Sequence, residues 1–438
     1  MPVERRKRNK GIIAGLDVGT TKVCTIAGEL DEGGITIQSI CCNKSTGLRK
    51  GVVVDIDNTV KSIKSTIEES EKQMGTVIKE VYVGISGSHI KTISGYGAVG
   101  IKGREVTPED VENAIDSASA VNIPLDREIL HVFPNDFILD RHGGIKDPVG
   151  MIGNRLEVNA TIVTGSVTPI HNLIKCCENA GLEIIEIILH PFASAEAILK
   201  PDEKVIGIAL VDIGGGTTDI SVYKDGWMRH TAVLGIGGNH FTNDISLGLN
   251  LPFNEAERVK KAYGSVLLSE AEGASNIEVL TIDGQRREIP RKYITEIIEP
   301  RAEELIELIK QEIQSLQNSG ISVSGVVFTG GSSMLAKLDR FAEAIMSMPV
   351  RVGYPELKPV SFPVRKNPAS HLKLNCIEGL EEYSNPMYSA GIGLVLYAAE
   401  SLFSDEKHIA SRRNFSGAFN KMTGWFKNIK KKIGGRHV

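Results

Sequence analysis

The stretch ALVDIGGGTTDI, residues 209–220, decides the fold, because an apolar run ends there in Asp212 and a turn of glycines and threonines. The segment AGLDVGTTK, residues 14–22, repeats that order of apolar strand, aspartate, glycine and threonine pair. Each segment predicts a buried strand, a tight turn and a second strand. Because the two segments are so similar, the sequence predicts an internal duplication in which two related domains face each other.

Both turns have the residue types of a phosphate-binding loop. Glycine lets the backbone turn tightly and approach a ligand, and the free N–H groups and threonine hydroxyls of such a turn hydrogen-bond phosphate oxygens. Asp17 and Asp212 end the two strands, and Mg²⁺ binds one or two carboxylates together with phosphate and water. The pair therefore predicts a Mg-nucleotide site between the domains, with Lys22 as an added positive charge at the phosphates.

A third strand followed by glycines lies at VVFTGGSSM, residues 326–334. The double glycine leaves bare backbone, against which a flat group such as adenine or ribose packs. A single motif of this kind is also explained by an ordinary turn at the end of a strand. Three of them in this order predict nucleotide binding.

Composition argues against several other classes of protein. The 438 residues are 41% hydrophobic, enough to bury large cores, and their net charge of −4 gives no overall attraction to nucleic acid. The six cysteines lack the CxxC spacing of a zinc site, and two sets are adjacent in sequence, so buried reduced thiols are predicted. No apolar run has the length of a membrane span, and Asp17 interrupts the apolar stretch near the N-terminus, so we expect no secretory signal.

The remaining patterns predict a mixed α/β protein of two lobes with two insertions. Apolar spacing predicts, among other elements, strands over 52–56 and 205–211 and a helix over 387–399. Thr107 and Pro108 have the residue types of a helix start. We expect a first lobe of residues 11–85, 162–200 and 385–400, an inserted subdomain of 86–161, a second lobe of 201–237 and 292–384, a subdomain of 238–291 over the nucleotide, a polar linker of 401–413 and a C-terminal helix of 414–438.

Residues 414–438 predict an amphipathic helix, whose apolar side chains recur every three or four residues with lysines mostly beside or opposite them. Such a helix suits the headgroup boundary of a membrane with anionic lipids. The alternatives are a helix docked on the protein's own core and a calmodulin-type target helix, and the basic residues 5–8 are interpreted as a solvated tail. The predicted membrane residues are Phe415, Phe419, Met422, Trp425, Phe426, Ile429 and Ile433, with Lys421, Lys427, Lys430, Lys431 and Lys432.

The quoted motifs resemble the two phosphate loops and the adenosine loop of the actin, Hsp70 and sugar-kinase superfamily. From residue 11 onward the chain is similar to a bacterial division family of that superfamily, FtsA, through GLDVGTTK (15–22), VDIGGGTTDI (211–220), GIGGNHFTNDI (235–245), VVFTGGSSML (326–335) and the C-terminal helix. The resemblance implies an actin-like two-lobed ATPase fold of duplicated ribonuclease H-like domains, with ATP and Mg²⁺ as cofactors. It also implies that residues 86–161 serve filament contacts and recruit later division proteins.

The resemblance implies roles for individual residues as well. Asp17 and Asp212 would face Mg²⁺ through water, and Glu257 and Lys260, one helical turn apart, would contact the ribose and the adenine. The other nucleotide-binding residues that it implies are Gly19, Thr20, Thr21, Lys22, Gly214, Gly215, Gly216, Thr217, Thr218, Gly237, Gly238, Asn243, Gly330, Gly331, Ser332 and Met334.

One position bears on hydrolysis. Related ATPases place Glu or Gln near the start of the connecting helix, where it positions the attacking water, and His190 in LHPFA, residues 189–193, occupies that place. An imidazole orients water less effectively, and a histidine at a strand end is equally explained by hydrogen bonds to backbone. We therefore expect ATP binding with at most slow hydrolysis.

Three functions stay open. The resemblance implies a peripheral membrane protein that polymerises on the cytoplasmic side of the cell membrane at the division septum. This adaptor would bind anionic lipids and anchor the tubulin-like ring protein FtsZ. No nucleic acid partner is expected. A sugar or acetate kinase of the same superfamily would need an acceptor pocket and a general base near the γ-phosphate, and no second carboxylate motif clearly supplies one. A further alternative is another actin-like scaffold, such as a shape-determining filament or a pilus-assembly protein.

Overall fold

Two sheets, each covered by helices, form the two lobes of this protein. The computed structural model describes residues 11–31, 34–268, 276–357, 360–364, 367–380 and 383–410. The predicted membrane residues between 415 and 433 lie outside this described part of the chain. Among the described residues, no helix combines the length and the apolar character that a membrane crossing requires.

The described part of the chain starts with a long β-hairpin in the first sheet. Asp55 ends the predicted strand over 52–56 early, because its side chain accepts a hydrogen bond from the Asn58 N–H at 3.1 Å and caps a helix that begins at Ile56. This first part contains β1 (Gly11–Val18), β2 (Lys22–Leu30), β3 (Gly34–Lys44), β4 (Leu48–Arg49), β5 (Val52–Val53), α1 (Ile56–Met74) and β6 (Glu80–Ile85).

The first insertion is a four-stranded antiparallel sheet with one helix packed on it. Thr107 and Asp110 cap that helix reciprocally, which confirms the predicted helix start. A Cβ at Gly97 would lie 2.1 Å from the Ala114 carbonyl oxygen, so glycine here lets the helix approach the strand. The elements are β7 (Lys91–Glu105), α2 (Pro108–Ser119), β8 (Arg127–Leu139), β9 (His142–Ile145) and β10 (Ile152–Ser166), in sheet order β7-β10-β8-β9.

The chain then returns to the first lobe. The predicted strand over 205–211 is wrong at its start, because Pro201 begins a short helix and the Glu203 side chain accepts a hydrogen bond from the Lys200 N–H at 2.9 Å. The strand itself begins at Ile208. The elements of this return are α3 (Val167–Asn179), β11 (Glu183–Leu189), α4 (His190–Ile198) and α5 (Pro201–Ile206).

The second lobe repeats the arrangement of the first. In the first lobe, β1 pairs antiparallel with β2 and in parallel with β6. In the second lobe, β12 (Ile208–Ile213) likewise pairs antiparallel with β13 (Thr218–Lys224) and in parallel with β17 (Val326–Thr329). The five-stranded sheet has the order β14-β13-β12-β17-β18. Its other elements are β14 (Trp227–Leu234), α6 (Gly238–Leu249), α7 (Phe253–Tyr263), β15 (Asn276–Leu280), β16 (Arg286–Pro290), α8 (Lys292–Asn318), α9 (Leu338–Met346) and β18 (Val350–Val352).

The last part of the chain corrects two predictions. Strands β19 (Val360–Val364) and β20 (Asn367–Cys376) join the first sheet, where β20 pairs in parallel with β3, so their assignment to the second lobe is wrong. Helix α10 (Ser389–Ala410) continues through residues 401–410, which were predicted to be linker. The first sheet therefore has the order β11-β6-β1-β2-β3-β20-β19.

Each lobe has its own hydrophobic core. Leu16 and Ile26 lie in the first, and Val211 and Phe328 in the second. Phe241 of α6 belongs to the second core, so the subdomain of 238–291 is packed onto its lobe. The first core extends to Leu210 and Val327 of the second sheet, so the two lobes also pack against each other, and the carboxyl ends of β1 and β12 come to the space between them.

Candidate functional site: a cleft between the lobes

A cleft of about 480 Å³ lies between the lobes, within the range of small-molecule sites. The sequence motifs from both halves of the chain meet there, as the duplication predicted. Of the predicted residues, the following line it: Asp17, Gly19, Thr20, Thr21, Lys22, His190, Asp212, Gly214, Gly215, Gly216, Thr217, Gly238, Glu257, Lys260, Gly330, Gly331, Ser332 and Met334.

Three predicted residues do not line the cleft. The Thr218 hydroxyl donates to the Ile236 carbonyl oxygen at 2.8 Å, so it holds the loop from behind. A Cβ at Gly237 would lie 2.7 Å from the Gly214 carbonyl oxygen, so this glycine supports the same loop. Asn243 is exposed on α6, and its prediction as a cleft residue is wrong, because the helix turns that position outward.

The two glycine-threonine turns have the same internal hydrogen bond. The Gly19 N–H donates to the Lys22 carbonyl oxygen at 2.9 Å, and the Gly214 N–H donates to the Thr217 carbonyl oxygen at 2.9 Å. The turns also touch: a Cβ at Gly215 would lie 2.2 Å from the Thr21 Cγ2 atom. Only glycine permits this approach, which brings the backbone N–H groups of both turns to one place.

Asp17 is held by the basic residues of its own lobe. The Lys22 Nζ atom lies 2.6 Å from Asp17 Oδ2. Burial raises the pKa of Asp17, but the Lys22 ammonium and the His190 ring outweigh it, so the pKa lies below the ordinary value. Asp17 is therefore ionised in the cleft.

Asp212 lies in a less favourable environment for charge. Burial raises its pKa above the ordinary value, although the Ser194 hydroxyl donates a hydrogen bond to Asp212 Oδ2 at 2.8 Å. Gly330 adopts φ 82°, and a Cβ there would lie 2.2 Å from Asp212 Oδ1. The glycine of the third motif thus makes room for the carboxylate of the second.

His190 is the first residue of α4 and is buried beside Asp17. Its Nε2 atom lies 3.2 Å from Asp17 Oδ1, within ion-pair distance but without the alignment of a hydrogen bond. A Cβ at Gly84 would lie 2.3 Å from the same ring, so the absence of a side chain on β6 admits the imidazole. The histidine thus lines the cleft, and among the described residues its Nε2 atom has no hydrogen-bond partner of the kind that the alternative explanation would have required.

At the other end of the cleft, α7 carries a charged pair, and α6 packs Thr242 against it. The Lys260 Nζ atom lies 2.7 Å from Glu257 Oε2 and 2.7 Å from the Thr242 hydroxyl. Ser332 follows the double glycine, and its hydroxyl donates to the Gly214 carbonyl oxygen at 3.0 Å. These contacts tie the third motif to the second-lobe loop.

Sequence reasoning missed several residues of the cleft. The Ser86 hydroxyl donates to Asp219 Oδ1 at 2.6 Å and so links the first lobe to the second. Burial raises the pKa of Asp219 to about 8, so this carboxyl is mostly protonated at neutral pH. Asp219 directly follows the Thr217–Thr218 pair, so its position in the motif could have predicted that it lies in the cleft. Phe241, Arg291 and Met387 also line the cleft; Phe241 lies within the motif at 235–245, whereas no motif marked Arg291 or Met387.

Two family models match the chain. The model described as "Cell division protein FtsA" matches residues 209–393, and "SHS2 domain inserted in FTSA" matches residues 87–164. Cell division protein FtsA of Pseudomonas aeruginosa is 39% identical over 392 residues, which cover 89% of this chain and 89% of that protein. The chain belongs to the FtsA family of cell division proteins.

Other members of the FtsA family extend this match. The protein of Bacillus subtilis is 35% identical over 90% of this chain and 84% of its own length, and that of Escherichia coli K12 is 34% identical over 92% and 94%. The SHS2 match at 87–164 coincides closely with the sheet of β7 to β10 and with the insertion predicted at 86–161.

Solved structures establish the fold. The PilM–PilN type IV pilus biogenesis complex superposes with a TM-score of 0.62 at 17% identity and covers 89% of this chain and 99% of that chain. MreB5 of Spiroplasma citri bound to ADP gives a TM-score of 0.52 at 15% identity and covers 90% and 98%. This FtsA family member therefore has the actin-like ATPase fold, as its motifs implied.

Proposed function

We propose that this protein is an ATP-binding division adaptor that polymerises on the inner face of the cell membrane and anchors FtsZ there, recruiting later division proteins. The observation that carries the proposal is the meeting of both glycine-threonine turns, Asp17 and Asp212 in one cleft of an FtsA family chain. The turns supply backbone N–H groups for phosphate oxygens. The ADP-bound state of the similarly folded MreB5 supports a nucleotide as the ligand.

The donors of the cleft suit Mg²⁺ bound together with a triphosphate. Asp17, Asp212 and Asp219 place three buried carboxyl groups there, and burial raises the pKa of Asp212 and Asp219. A divalent cation would offset that concentration of acidic groups. The described residues contain no group of three His, Cys, Asp or Glu side chains that could hold a metal on their own. Phosphate oxygens and water would therefore complete the coordination, as Mg²⁺ prefers.

The remaining residues divide between the two ends of the nucleotide. Thr20, Thr21, Gly215 and Gly216 would hold phosphates, with the Lys22 ammonium moving from Asp17 towards them. The adenosine would lie between the Glu257–Lys260 pair and the double glycine at 330–331. His190 would orient a water near Asp17, and we expect at most slow hydrolysis, since an imidazole orients water less effectively than the Glu or Gln of related ATPases.

Membrane attachment rests on the segment 414–438. Its apolar stripe around Trp425 and its lysines suit an anionic lipid surface. Each basic residue near such a surface contributes roughly 1 kcal/mol, and several helices on one filament would strengthen attachment by avidity. Family membership favours this adaptor over a sugar or acetate kinase, and the likeness to the pilus complex concerns the fold alone.

The substitution Asp212→Ala tests the nucleotide site. Affinity for ATP with Mg²⁺ should fall by about tenfold, or 1.4 kcal/mol, while affinity for ATP in EDTA should change much less, because the lost carboxylate acts through the metal. Titration with a fluorescent ATP analogue measures both. The exposed Asp202→Ala is the matched control. Unchanged affinity in both buffers would show that Asp212 does not face the metal.

A further inference from the structure

Cys24 and Cys42 lie directly opposite each other on the antiparallel strands β2 and β3. The Ser45 N–H donates to the Thr21 carbonyl oxygen at 3.0 Å, and these two residues occupy opposite positions just before the ladder begins. Thr21 and Ser45 are therefore a hydrogen-bonded pair. Because the two kinds of pair alternate along an antiparallel ladder, Cys24 and Cys42, three steps further, are a non-hydrogen-bonded pair.

That kind of pair brings two cysteines close enough to be bridged. Opposite Cα atoms in a non-hydrogen-bonded pair are about 4.5 Å apart, at the short end of the range of about 4.4–6.8 Å found in disulfides. Opposite side chains point to the same face of the sheet, and each thiol shifts the pKa of the other, which raises that of Cys24 and lowers that of Cys42. A disulfide between these strands therefore needs no large backbone movement.

The pair adjoins the cleft. Asp17 is opposite Cys24 on the neighbouring strand β1, so Asp17, Cys24 and Cys42 form one row across three strands. Lys22 lies two residues before Cys24, on the same face, and its ammonium contacts Asp17 at 2.6 Å. A bond between the two sulfurs would draw Cys24 towards β3 and away from this ion pair.

We propose that Cys24 and Cys42 are a redox-active dithiol, which hydrogen peroxide converts to a reversible disulfide that weakens nucleotide binding. Cys42 is half-buried and Cys24 is fully buried, so Cys42 reacts first. Its sulfur attacks one peroxide oxygen, the O–O bond breaks, and a sulfenic acid and water form. The Cys24 sulfur then displaces the sulfenic oxygen, its thiol proton leaves with that oxygen as water, and the S–S bond forms. A dithiol reductant reverses the change.

The weakening of nucleotide binding rests on the proposed function, whereas the dithiol itself does not. Lys22 begins β2 and has to move from Asp17 towards the phosphates when a nucleotide binds. A bond that ties β2 to β3 restricts this movement. By reciprocity, bound Mg-ATP should also slow disulfide formation.

To test the proposal, the full reduced chain is treated with hydrogen peroxide, and its remaining free thiols are then blocked under denaturing conditions. The chain is digested with a protease that cleaves after glutamate, because Glu29 and Glu32 separate the two cysteines. Mass spectrometry should find a peptide of Cys24 linked to one of Cys42, and dithiothreitol should remove the link. Cys42→Ser and Cys24→Ser should abolish it. Cys41→Ser is the matched control and should retain it, because Cys41 is opposite Thr25 and points to the other face.

Three outcomes decide the two parts of the proposal. Absence of the link in the wild-type chain, or its persistence in Cys42→Ser, would overturn the dithiol. The oxidised chain should bind Mg-ATP several-fold more weakly than the reduced chain, with recovery in dithiothreitol and no effect of peroxide on Cys42→Ser. A link that forms without any change in affinity would overturn the coupling to the cleft. A reduced chain that binds no ATP would overturn the proposed function and leave the dithiol in place.

Discussion

At the scale of single residues, the cleft depends on positions where a side chain is missing. Gly215 and Gly216 bring their backbone against Thr21 and Thr20 of the other lobe. Gly330 leaves room for the Asp212 carboxylate. The sequence marks these glycines clearly, because a turn that must approach a ligand or another chain segment excludes a Cβ. Only the folded structure shows which atoms a side chain at each of these positions would clash with.

Gly215→Ala should weaken Mg-ATP binding by tenfold or more, on the order of 1.4 kcal/mol. The new methyl group would lie 2.2 Å from Thr21 Cγ2 and force the two phosphate loops apart. Fluorescence titration with a labelled nucleotide measures the loss. Adding Thr21→Ser removes that methyl and keeps the hydroxyl, so the double variant should recover part of the affinity. If the second substitution gives no recovery, the loops are not coupled through this contact.

At the scale of elements, helices α4 and α10 cross closely beneath the cleft. A Cβ at Gly393 would lie 1.8 Å from the Ala193 carbonyl oxygen. Helix α4 begins with His190, so this crossing supports the position of the imidazole. The crossing was not predictable from either helix alone, because small residues are equally common in buried helices without such contacts.

Gly393→Ala should destabilise the protein although alanine favours a helix by about 1 kcal/mol. Overpacking of this kind costs roughly 1–3 kcal/mol, because a backbone oxygen cannot move aside. Urea unfolding measures the free energy of unfolding. Gly100→Ala, where no atom lies within 4 Å, serves as the control and should cause no loss. Equal stability of the two variants would contradict the close crossing.

Strand β8 of the inserted sheet is joined through His131 to the end of β11, directly before α4. Its Nε2 atom accepts a hydrogen bond from the Leu189 N–H at 3.2 Å, and burial lowers the pKa of His131 to about 3 from 6.5. Between these values the unfolded chain binds a proton that the folded chain does not. Stability is therefore fully present above pH 6.5 and is lost as the pH falls.

His131→Gln should make the free energy of unfolding less dependent on pH between 6.5 and 4, by up to about 1.4 kcal/mol per pH unit. Glutamine offers an acceptor oxygen for the Leu189 N–H but does not titrate. Urea unfolding at pH 7, 6 and 5 gives the slopes of both chains. If the free energy of unfolding depends on pH equally in both chains, His131 is not the group that takes up a proton on unfolding.

At the scale of the whole molecule, the proposed function depends on a cleft that would bind a nucleotide and a tail that would bind lipid. Hydrogen bonds between residues far apart in sequence link the parts of the molecule, such as Ser86 with Asp219 and Thr92 with Thr231. The second of these joins the inserted sheet to β14 of the second lobe. The inserted sheet is therefore hydrogen-bonded directly to the sheet that carries the second phosphate-loop motif.

Removal of residues 415–438 should abolish sedimentation with vesicles that contain anionic lipids and leave Mg-ATP affinity unchanged. The lost helix supplies both the apolar stripe and the lysines. Removal of residues 1–10, which are also basic, is the control and should leave sedimentation intact. Vesicle binding by the chain without 415–438 would contradict the proposed anchor.

The sequence by itself determined the local chemistry: the two turns at 17–22 and 212–218, the capped start of α2 and the apolar periods of the long helices. These features depend on residues a few positions apart, whose geometry the backbone imposes directly. The tertiary structure alone decided that β20 joins β3, that α10 runs to Ala410, and that Ser86 meets Asp219. Such contacts join distant segments, and their free energy depends on the packing of the whole chain, which no local pattern records.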